Sequence, residues 1–178
     1  MDFTKLAHFS DKSWRGGEKL PDKALAYLSL NENGGHPGPD LAHPAIRRWI
    51  SPVDGTVAVS GRLARPAKEG DGVHGAVVSS RGGRLGEWTV KSGESETVVE
   101  RIEVKRGDTL DFVVDCIGTD SYDSFSWAPV VRLLGGSPGE WDAAKQFGGP
   151  PGKPPVPLTP WEKYAQVLLM SNELAFVD

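Results

Sequence analysis

Alternation of apolar and polar residues is the feature of this sequence that most restricts its fold. In the segment TVAVSGRL, Val57, Val59 and Leu63 fall on one side of an extended chain. A period of two residues is that of a β-strand with one buried face. Similar segments follow one another between residues 46 and 134, separated by turn-forming stretches such as SPVDG and KRGD. Regularly spaced strands of this kind predict an all-β fold, an antiparallel β-sandwich of jelly-roll type, in which two sheets cover each other's apolar faces.

The same pattern assigns the side chains of individual strands to a face. In TVVERIEV, Val98 is predicted to lie inward together with Ile102. Asp111 and Asp115, in TLDFVVDCI, are predicted to lie on the solvated face of their strand. Pro129 interrupts the last strand, SFSWAPVVRL, and indicates an edge or a bulge, because proline has no N–H to give to a sheet. The predicted inward residues of TLDFVVDCI are Leu110, Phe112, Val114 and Cys116.

Irregular segments flank the predicted sandwich core, residues 46–134. Residues 1–45 are rich in turn formers, and we expect them to be irregular with one candidate strand, ALAYLSL (Ala24–Leu30). Residues 135–157 form a Gly/Pro-rich connector whose PPGKPPVP stretch is typical of a stiff polyproline-type tether. The sequence therefore predicts one folded core with attachments on both sides.

Residues 158–178 predict a short C-terminal amphipathic helix and tail. Thr159 is the expected N-cap, Pro160 occupies the first helical position, and Glu162 completes a T-x-x-E capping box. Such a short helix is marginal alone, so we expect it to pack on the sandwich or on a further part of a longer chain.

Length and charge exclude several classes of protein. A chain of 178 residues favours one domain over two. A net charge of −4 argues against nucleic acid as a partner, because phosphate binding requires a basic surface. No apolar run approaches the roughly 20 residues that span a bilayer. The N-terminal MDFTKLAHFS lacks the features of a signal peptide, so the chain is expected to be cytoplasmic or part of a longer exported protein.

Aspartates are concentrated in the stretch GDTLDFVVDCIGTDSYDSFSW. Asp108 falls in an RGD turn, where aspartate bonds its own backbone. Asp120 and Asp123 share a loop with Ser121 and Tyr122. Closely spaced loop oxygens suit Ca²⁺, which takes about six to eight oxygen ligands, although the spacing is not that of an EF-hand. Asp120 and Asp123 are therefore candidate calcium ligands, and the alternative is a plain Asx-turn loop.

The sequence shows no arrangement typical of nucleophilic catalysis or phosphate binding. It has no G-x-S-x-G elbow, and RGGRLGEW lacks the P-loop pattern. His36 and His43 each precede a proline in one loop, a spacing that does not promise a metal site. The single cysteine, Cys116, excludes an internal disulfide. We therefore expect a protein that is not an enzyme.

Aromatic residues in polar surroundings are the candidates for ligand recognition. Trp88 lies in LGEWTV and Tyr122 in the Asp-rich loop. An exposed ring offers a flat apolar face to the C–H face of a sugar, and neighbouring carboxylates bind its hydroxyls. Trp88 and Tyr122 are the candidate platforms, with Asp120 and Asp123 as hydroxyl ligands. The alternative is that these aromatic rings only cover the ends of the sandwich.

Three segments are similar to a known family: GGHPG…IRRWISPVDGTVAVSG, GDGVHGAVVSS…GDTLDFVVD…DSFSWAP, and the ending PLTPWEKYAQVLLMSNELAFVD. They resemble the C-terminal region of large planctomycete proteins that carry c-type haem modules and adjoining domains of unknown function. In that family a LAQVLLxSNEFxFVD-like helix closes the polypeptide, and a β-sandwich resembling a carbohydrate-binding module can precede it. Here Tyr164 precedes AQVLLMSNE, and Leu174 and Ala175 stand where the family often has bulkier residues.

The resemblance implies export with a parent protein and a preceding body on which the final helix packs. The family's haem attachment motif, C-x-x-C-H, is absent from this sequence. No haem role therefore carries over to these residues.

The sequence supports one main hypothesis and leaves two alternatives open. The main hypothesis is a non-catalytic, carbohydrate-binding-like module that recognises a polysaccharide or glycan, exported to the periplasm or cell surface as part of a longer protein. The first alternative is a structural or docking domain that packs on the haem-bearing part of its parent and exposes an apolar patch beside the last helix. The second is a hydrolase or lyase that uses the Asp-rich loop, which requires two carboxylates with perturbed pKa values in a cleft.

Overall fold

The computed structural model of the protein describes residues 3–135, 139–152 and 159–164. Regular structure in these residues is almost entirely extended, with one helical turn at residues 160–164. The strands are β1 (His8–Ser10), β2 (Ser13–Arg15), β3 (Ser29–Asn31), β4 (Gly34–His36), β5 (Ala45–Ile50), β6 (Gly55–Ser60), β7 (Arg62–Arg65), β8 (Val73–Ser79), β9 (Gly83–Val90), β10 (Gly93–Glu96), β11 (Val99–Val104), β12 (Thr109–Cys116), β13 (Phe125–Ser126), β14 (Val130–Leu134) and β15 (Glu140–Asp142). Within the described residues, no helix is long and apolar enough to cross a membrane.

The strands form three antiparallel sheets that pack together as two layers. One layer is the sheet β5-β12-β8-β9. The other combines the sheet β11-β6-β14-β15 with the sheet β1-β2-β3-β4-β13-β7-β10. These two sheets continue into each other, because only Gly61 separates β6 from β7 and only residues 127–129 separate β13 from β14. The chain crosses repeatedly between the layers, and the predicted all-β antiparallel sandwich is confirmed.

The hydrophobic core lies between the two layers. Val57, Val59 and Leu63 are fully buried, as their alternation predicts. Trp127 lies among the core residues, where its ring meets Phe112 edge to face with centroids 5.7 Å apart. Its Nε1 donates a 2.9 Å hydrogen bond to Oγ1 of the buried Thr97, so this polar atom is satisfied inside the core. The predicted inward residues of β12, namely Leu110, Phe112, Val114 and Cys116, are all buried.

Two predicted side-chain orientations are wrong. Val98 is exposed rather than inward, because the pairing of β11 with β6 shifts register between Val99 and Ile102 and a bulge reverses the faces beyond it. Asp111 is buried rather than solvated, since Arg48 on the neighbouring strand donates two hydrogen bonds to its carboxylate at 2.6 and 2.9 Å. The single strand predicted over SFSWAPVVRL is instead two strands, β13 and β14, in different sheets, and neither is an edge strand.

Residues 1–45, expected to be irregular with one candidate strand, contain four short strands joined by irregular segments. The candidate strand Ala24–Leu30 is largely a turn. Asp22 and Ala26 form an isolated antiparallel β-bridge, and Ala26 has a positive φ of 48°. The strand β3 begins only at Ser29.

The last of these four strands, β4, joins the N-terminal segment to the sandwich through β13. A Cβ at Gly34 would lie 2.0 Å from the carbonyl oxygen of Phe125, and one at Gly35 would lie 2.1 Å from that of Ser29. Both distances are far inside van der Waals contact, so strands can approach closely on both sides of β4 only because these two residues are glycines.

The C-terminal part also contains structure that the sequence did not reveal. β15, within the predicted connector 135–157, pairs with β14. The capping box is confirmed: the backbone N–H of Thr159 donates to the Glu162 carboxylate at 2.8 Å, and the N–H of Glu162 donates to Thr159 Oγ1 at 3.3 Å. Most of the PPGKPPVP tether and the predicted helix beyond residue 164 lie outside the described residues.

Candidate functional site

A shallow depression of about 260 Å³ lies beside the loop that follows β12. Two of its aromatic rings face solvent: Tyr122 is 62% exposed and Tyr27 is 47% exposed. The ring centroids of Tyr27 and His36 lie 5.6 Å apart. The lining residues are Tyr27, His36, Asp120, Ser121, Tyr122 and Ser124. Two of the four predicted site residues, Tyr122 and Asp120, therefore share one surface.

The backbone of the loop separates Tyr122 from its neighbour Asp123. Tyr122 has a φ of 67°, in the left-handed region that residues other than glycine seldom adopt. The N–H of Asp123 donates to the carbonyl oxygen of Asp120 at 3.3 Å and closes the turn. The Tyr122 side chain is exposed and that of Asp123 is buried.

Asp123 belongs to the interior, so its assignment as a hydroxyl or calcium ligand on the surface is wrong. Its Oδ1 accepts a 3.0 Å hydrogen bond from Arg65 Nε, and neither side chain is accessible to solvent. Burial raises the pKa of the Asp123 carboxyl, while the hydrogen bond from Arg65 and its charge oppose that shift. Among the described residues, Asp123 Oδ2 has no hydrogen-bond partner.

Arg65 connects this aspartate to two other loops. Its Nη1 donates to the carbonyl oxygens of Ala67 and Lys91 at 2.9 and 2.5 Å, and its Nη2 donates to that of Glu69. The guanidinium thus fixes the backbone beneath the Tyr122 loop and contributes to the shape of the depression indirectly.

Trp88 does not contribute to this surface. It is half-buried on β9, and its ring packs on Trp127 at a centroid distance of 6.2 Å. The assignment of Trp88 as an exposed platform is therefore wrong, and its alternation within LGEWTV reflects packing on the core.

Tyr27 and His36 were not predicted as site residues. Tyr27 falls in a segment that alternates like a strand, and His36 falls in a loop that gave no ligand signal. Only the pairing of β3 with β4, and of β4 with β13, brings them beside Tyr122.

The two predicted calcium ligands do not converge, because Asp123 is buried against Arg65 while Asp120 lines the surface depression. Within the described part of the chain, no group of three or more His, Cys, Asp or Glu side chains is placed to hold a metal ion. The calcium hypothesis therefore gains no support from Asp120 and Asp123.

Comparison with known proteins does not supply a function. No protein-family model matches the chain, and no curated protein is significantly similar to it in sequence. The geometry of the surface is therefore the basis on which a function can be proposed.

Proposed function

We propose that the protein is a non-catalytic, carbohydrate-binding-like module, and that the depression between Tyr27 and Tyr122 receives a glycan. The observation that carries this proposal is the presence of two exposed tyrosine rings beside one depression that also contains a carboxylate and two hydroxyls. Aromatic platforms with a few polar groups are the usual composition of a ligand site.

The polar groups of the depression suit a partner rich in hydroxyls. Asp120 offers a carboxylate, which accepts hydrogen bonds, while Ser121 and Ser124 both donate and accept them. His36 Nδ1 lies 2.8 Å from the carbonyl oxygen of Pro37. Since a carbonyl can only accept, Nδ1 carries the proton, and Nε2 of the neutral ring remains an acceptor.

The size of the depression sets the expected strength of binding. Its volume of about 260 Å³ is below the roughly 300–1,000 Å³ of enclosed small-molecule sites. A shallow surface of this size contacts one or two rings of a longer chain. We therefore expect weak binding of a polymer rather than tight binding of a free monosaccharide.

Calorimetric titration of the full chain with a panel of soluble polysaccharides tests the proposal. At least one polymer should bind, and the variants Tyr27→Ala and Tyr122→Asn should each weaken its binding roughly two- to tenfold, because an aromatic contact contributes about 0.5–1.5 kcal/mol. Asparagine suits position 122 because it tolerates a positive φ.

The matched control is Tyr164→Ala, which removes another exposed tyrosine, 57% exposed, on the helical turn. This control should bind as the wild type does. The absence of binding to every polymer, or unchanged binding by both depression variants, would overturn the proposal.

Docking onto the remainder of a larger exported protein is the second candidate function. It is favoured by the exposed rings of Trp161, 80% exposed, and Tyr164, which meet edge to face with centroids 6.2 Å apart. Exposed aromatic clusters of this kind promote association. Sedimentation of the full chain should reveal self-association that the double variant Trp161→Ala/Tyr164→Ala lacks, and a monomer at every concentration would argue against this candidate.

A further inference from the structure

A second cavity, of about 310 Å³, lies between β5 and β15. These strands are the outermost members of facing sheets, so the cavity is a slot that enters the sandwich from its side. Its exposed residues are Arg48, Gln146 and Gly148. The slot shares no lining residue with the Tyr27–Tyr122 depression, so a ligand in the slot would bind independently of the proposed glycan site.

The interior of the slot is largely aromatic. The rings of Trp49 and Trp141 lie with centroids 5.2 Å apart at an angle of 59°. Phe112 contributes a further ring, and Phe147 lies under the guanidinium of Arg47, whose Cζ is 5.2 Å from the ring centroid. A ring with an apolar face fits such walls.

The segment that covers the slot is fixed at several points. The N–H of Ala143 donates to the carbonyl oxygen of Pro129 at 3.1 Å, and Trp14 Nε1 donates to that of Gly148 at 2.8 Å. Arg47 donates from Nη1 to Ala143 at 3.2 Å and from Nη2 to Asn31 at 2.7 Å. The slot is therefore preformed, which lowers the entropic cost of binding.

Two polar groups of residues that line the slot, Trp49 Nε1 and the Arg47 guanidinium, have no anionic partner in the part of the chain that the structure describes. Trp49 Nε1 is buried without an acceptor among the described residues. Arg47 makes its hydrogen bonds to neutral carbonyls, and within the described ranges it forms no ion pair, unlike Arg48 with Asp111 or Arg65 with Asp123. Burial lowers the pKa of the Arg47 guanidinium, which is the effect of removing a cation from water without a counter-ion.

We propose that the slot binds a small ring-shaped carboxylate, with its carboxylate on the Arg47 guanidinium and its ring against Trp49 and the other aromatic walls. A guanidinium has five N–H donors, of which two are used by the carbonyls, so Arg47 can also bind a carboxylate. Two classes of compound combine a ring with a carboxylate in this way: uronic acids and aromatic acids.

Nuclear magnetic resonance of the tryptophan indole N–H groups in the full chain tests the proposal. Glucuronate and benzoate represent the two classes, and glucose and benzamide are their neutral counterparts. We expect one of the acids to move the Trp49 indole resonance in a saturable way. Its neutral counterpart should bind at least about tenfold more weakly, since a charged partner strengthens a hydrogen bond.

The variant Trp49→Phe replaces this wall of the slot with a smaller ring. Calorimetry should show weaker binding of the acid, by roughly two- to tenfold. Thermal stability should fall slightly, because the smaller ring packs less fully on Trp141. Trp88→Phe, at a half-buried tryptophan outside the slot, is the matched control and should bind the acid normally. Tyr122→Asn should also bind it normally, which separates this site from the glycan site.

Three results would overturn the proposal. They are the failure of both acids to bind at concentrations up to about 10 mM, equal binding of an acid and its neutral counterpart, and wild-type affinity in Trp49→Phe.

Discussion

Arg65 and Asp123 form an ion pair with an Nε–Oδ1 distance of 3.0 Å, and neither side chain is accessible to solvent. The pair joins the end of β7 to the loop that carries Tyr122, across 58 positions of the sequence. Removing two charges from water is costly, so this geometry is stable only while both partners are present. The shape of the tyrosine-lined depression therefore depends on an interaction beneath it.

Replacing Asp123 with alanine should destabilise the protein by about 3–5 kcal/mol, because Arg65 would remain as a buried charge without a counter-ion. Chemical denaturation measures this free energy of unfolding. The control is Glu96→Ala, which removes an exposed partner of Arg62 and should cost less than about 1 kcal/mol. Equal stability of the two variants would contradict the importance of the buried pair.

Replacing Trp88 with alanine should lower stability without affecting glycan binding. The ring packs on Trp127 and is half-buried, so the loss should be roughly 1–3 kcal/mol, below the cost of about 3–5 kcal/mol for a fully buried aromatic. Thermal unfolding gives the stability, and polysaccharide titration gives the binding. A folded Trp88→Ala protein with abolished binding would restore Trp88 as a platform.

Replacing Gly34 with alanine should separate β4 from β13. The added Cβ would lie 2.0 Å from the carbonyl oxygen of Phe125, and overpacking of this kind costs about 1–3 kcal/mol. Hydrogen exchange should show reduced protection in β4. Gly152→Ala is the control, because a Cβ there has no neighbour within 4 Å, and a similar loss of protection in both variants would contradict the prediction.

Replacing Asp108 with asparagine should reduce stability near neutral pH more than at low pH. The pKa of Asp108 lies below its ordinary value of 3.8, first because Arg81 hydrogen-bonds the carboxylate and next because the N–H of Lys105 does. A lowered folded-state pKa means that the carboxylate stabilises the fold above the unfolded-state pKa, and that this stability is lost as pH falls through the folded-state value. Chemical denaturation at about pH 7 and about pH 3 measures the free energy of unfolding of both proteins. The variant should be less stable than the wild type by a smaller amount at about pH 3 than at about pH 7. An equal difference at both pH values would contradict this explanation.

β6 and β7 could be predicted because buried and exposed side chains alternate along them. The alternation that identified Val57, Val59 and Leu63 records which side chains leave water, and all three are fully buried. Val98 shows the limit of that reasoning, since a bulge between Val99 and Ile102 reverses the faces without leaving a mark in the hydrophobic pattern.

The four N-terminal strands could not be predicted because each has only three residues, too few to show a period. β4 reads GGH, a composition typical of turns, and it is a strand because its neighbours approach it from both sides.

The candidate site was predictable only in part, for a similar reason. The polar loop and its exposed Tyr122 follow from local composition. The burial of Asp123 depends on Arg65, and the position of Tyr27 depends on the pairing of β3 and β4. A single sequence contains no local signal for such distant partners.

The pairing of β4 with β13 also has a consequence for synthesis of the chain. Gly35 pairs with Phe125, about 90 residues later. At a translation rate of roughly 5–20 residues per second, β13 is synthesised on the order of 5–20 seconds after β4. Until then, one edge of β4 has no partner strand. During that interval the nascent chain presents an open hydrogen-bonding edge, which is where an unwanted strand from another molecule would attach.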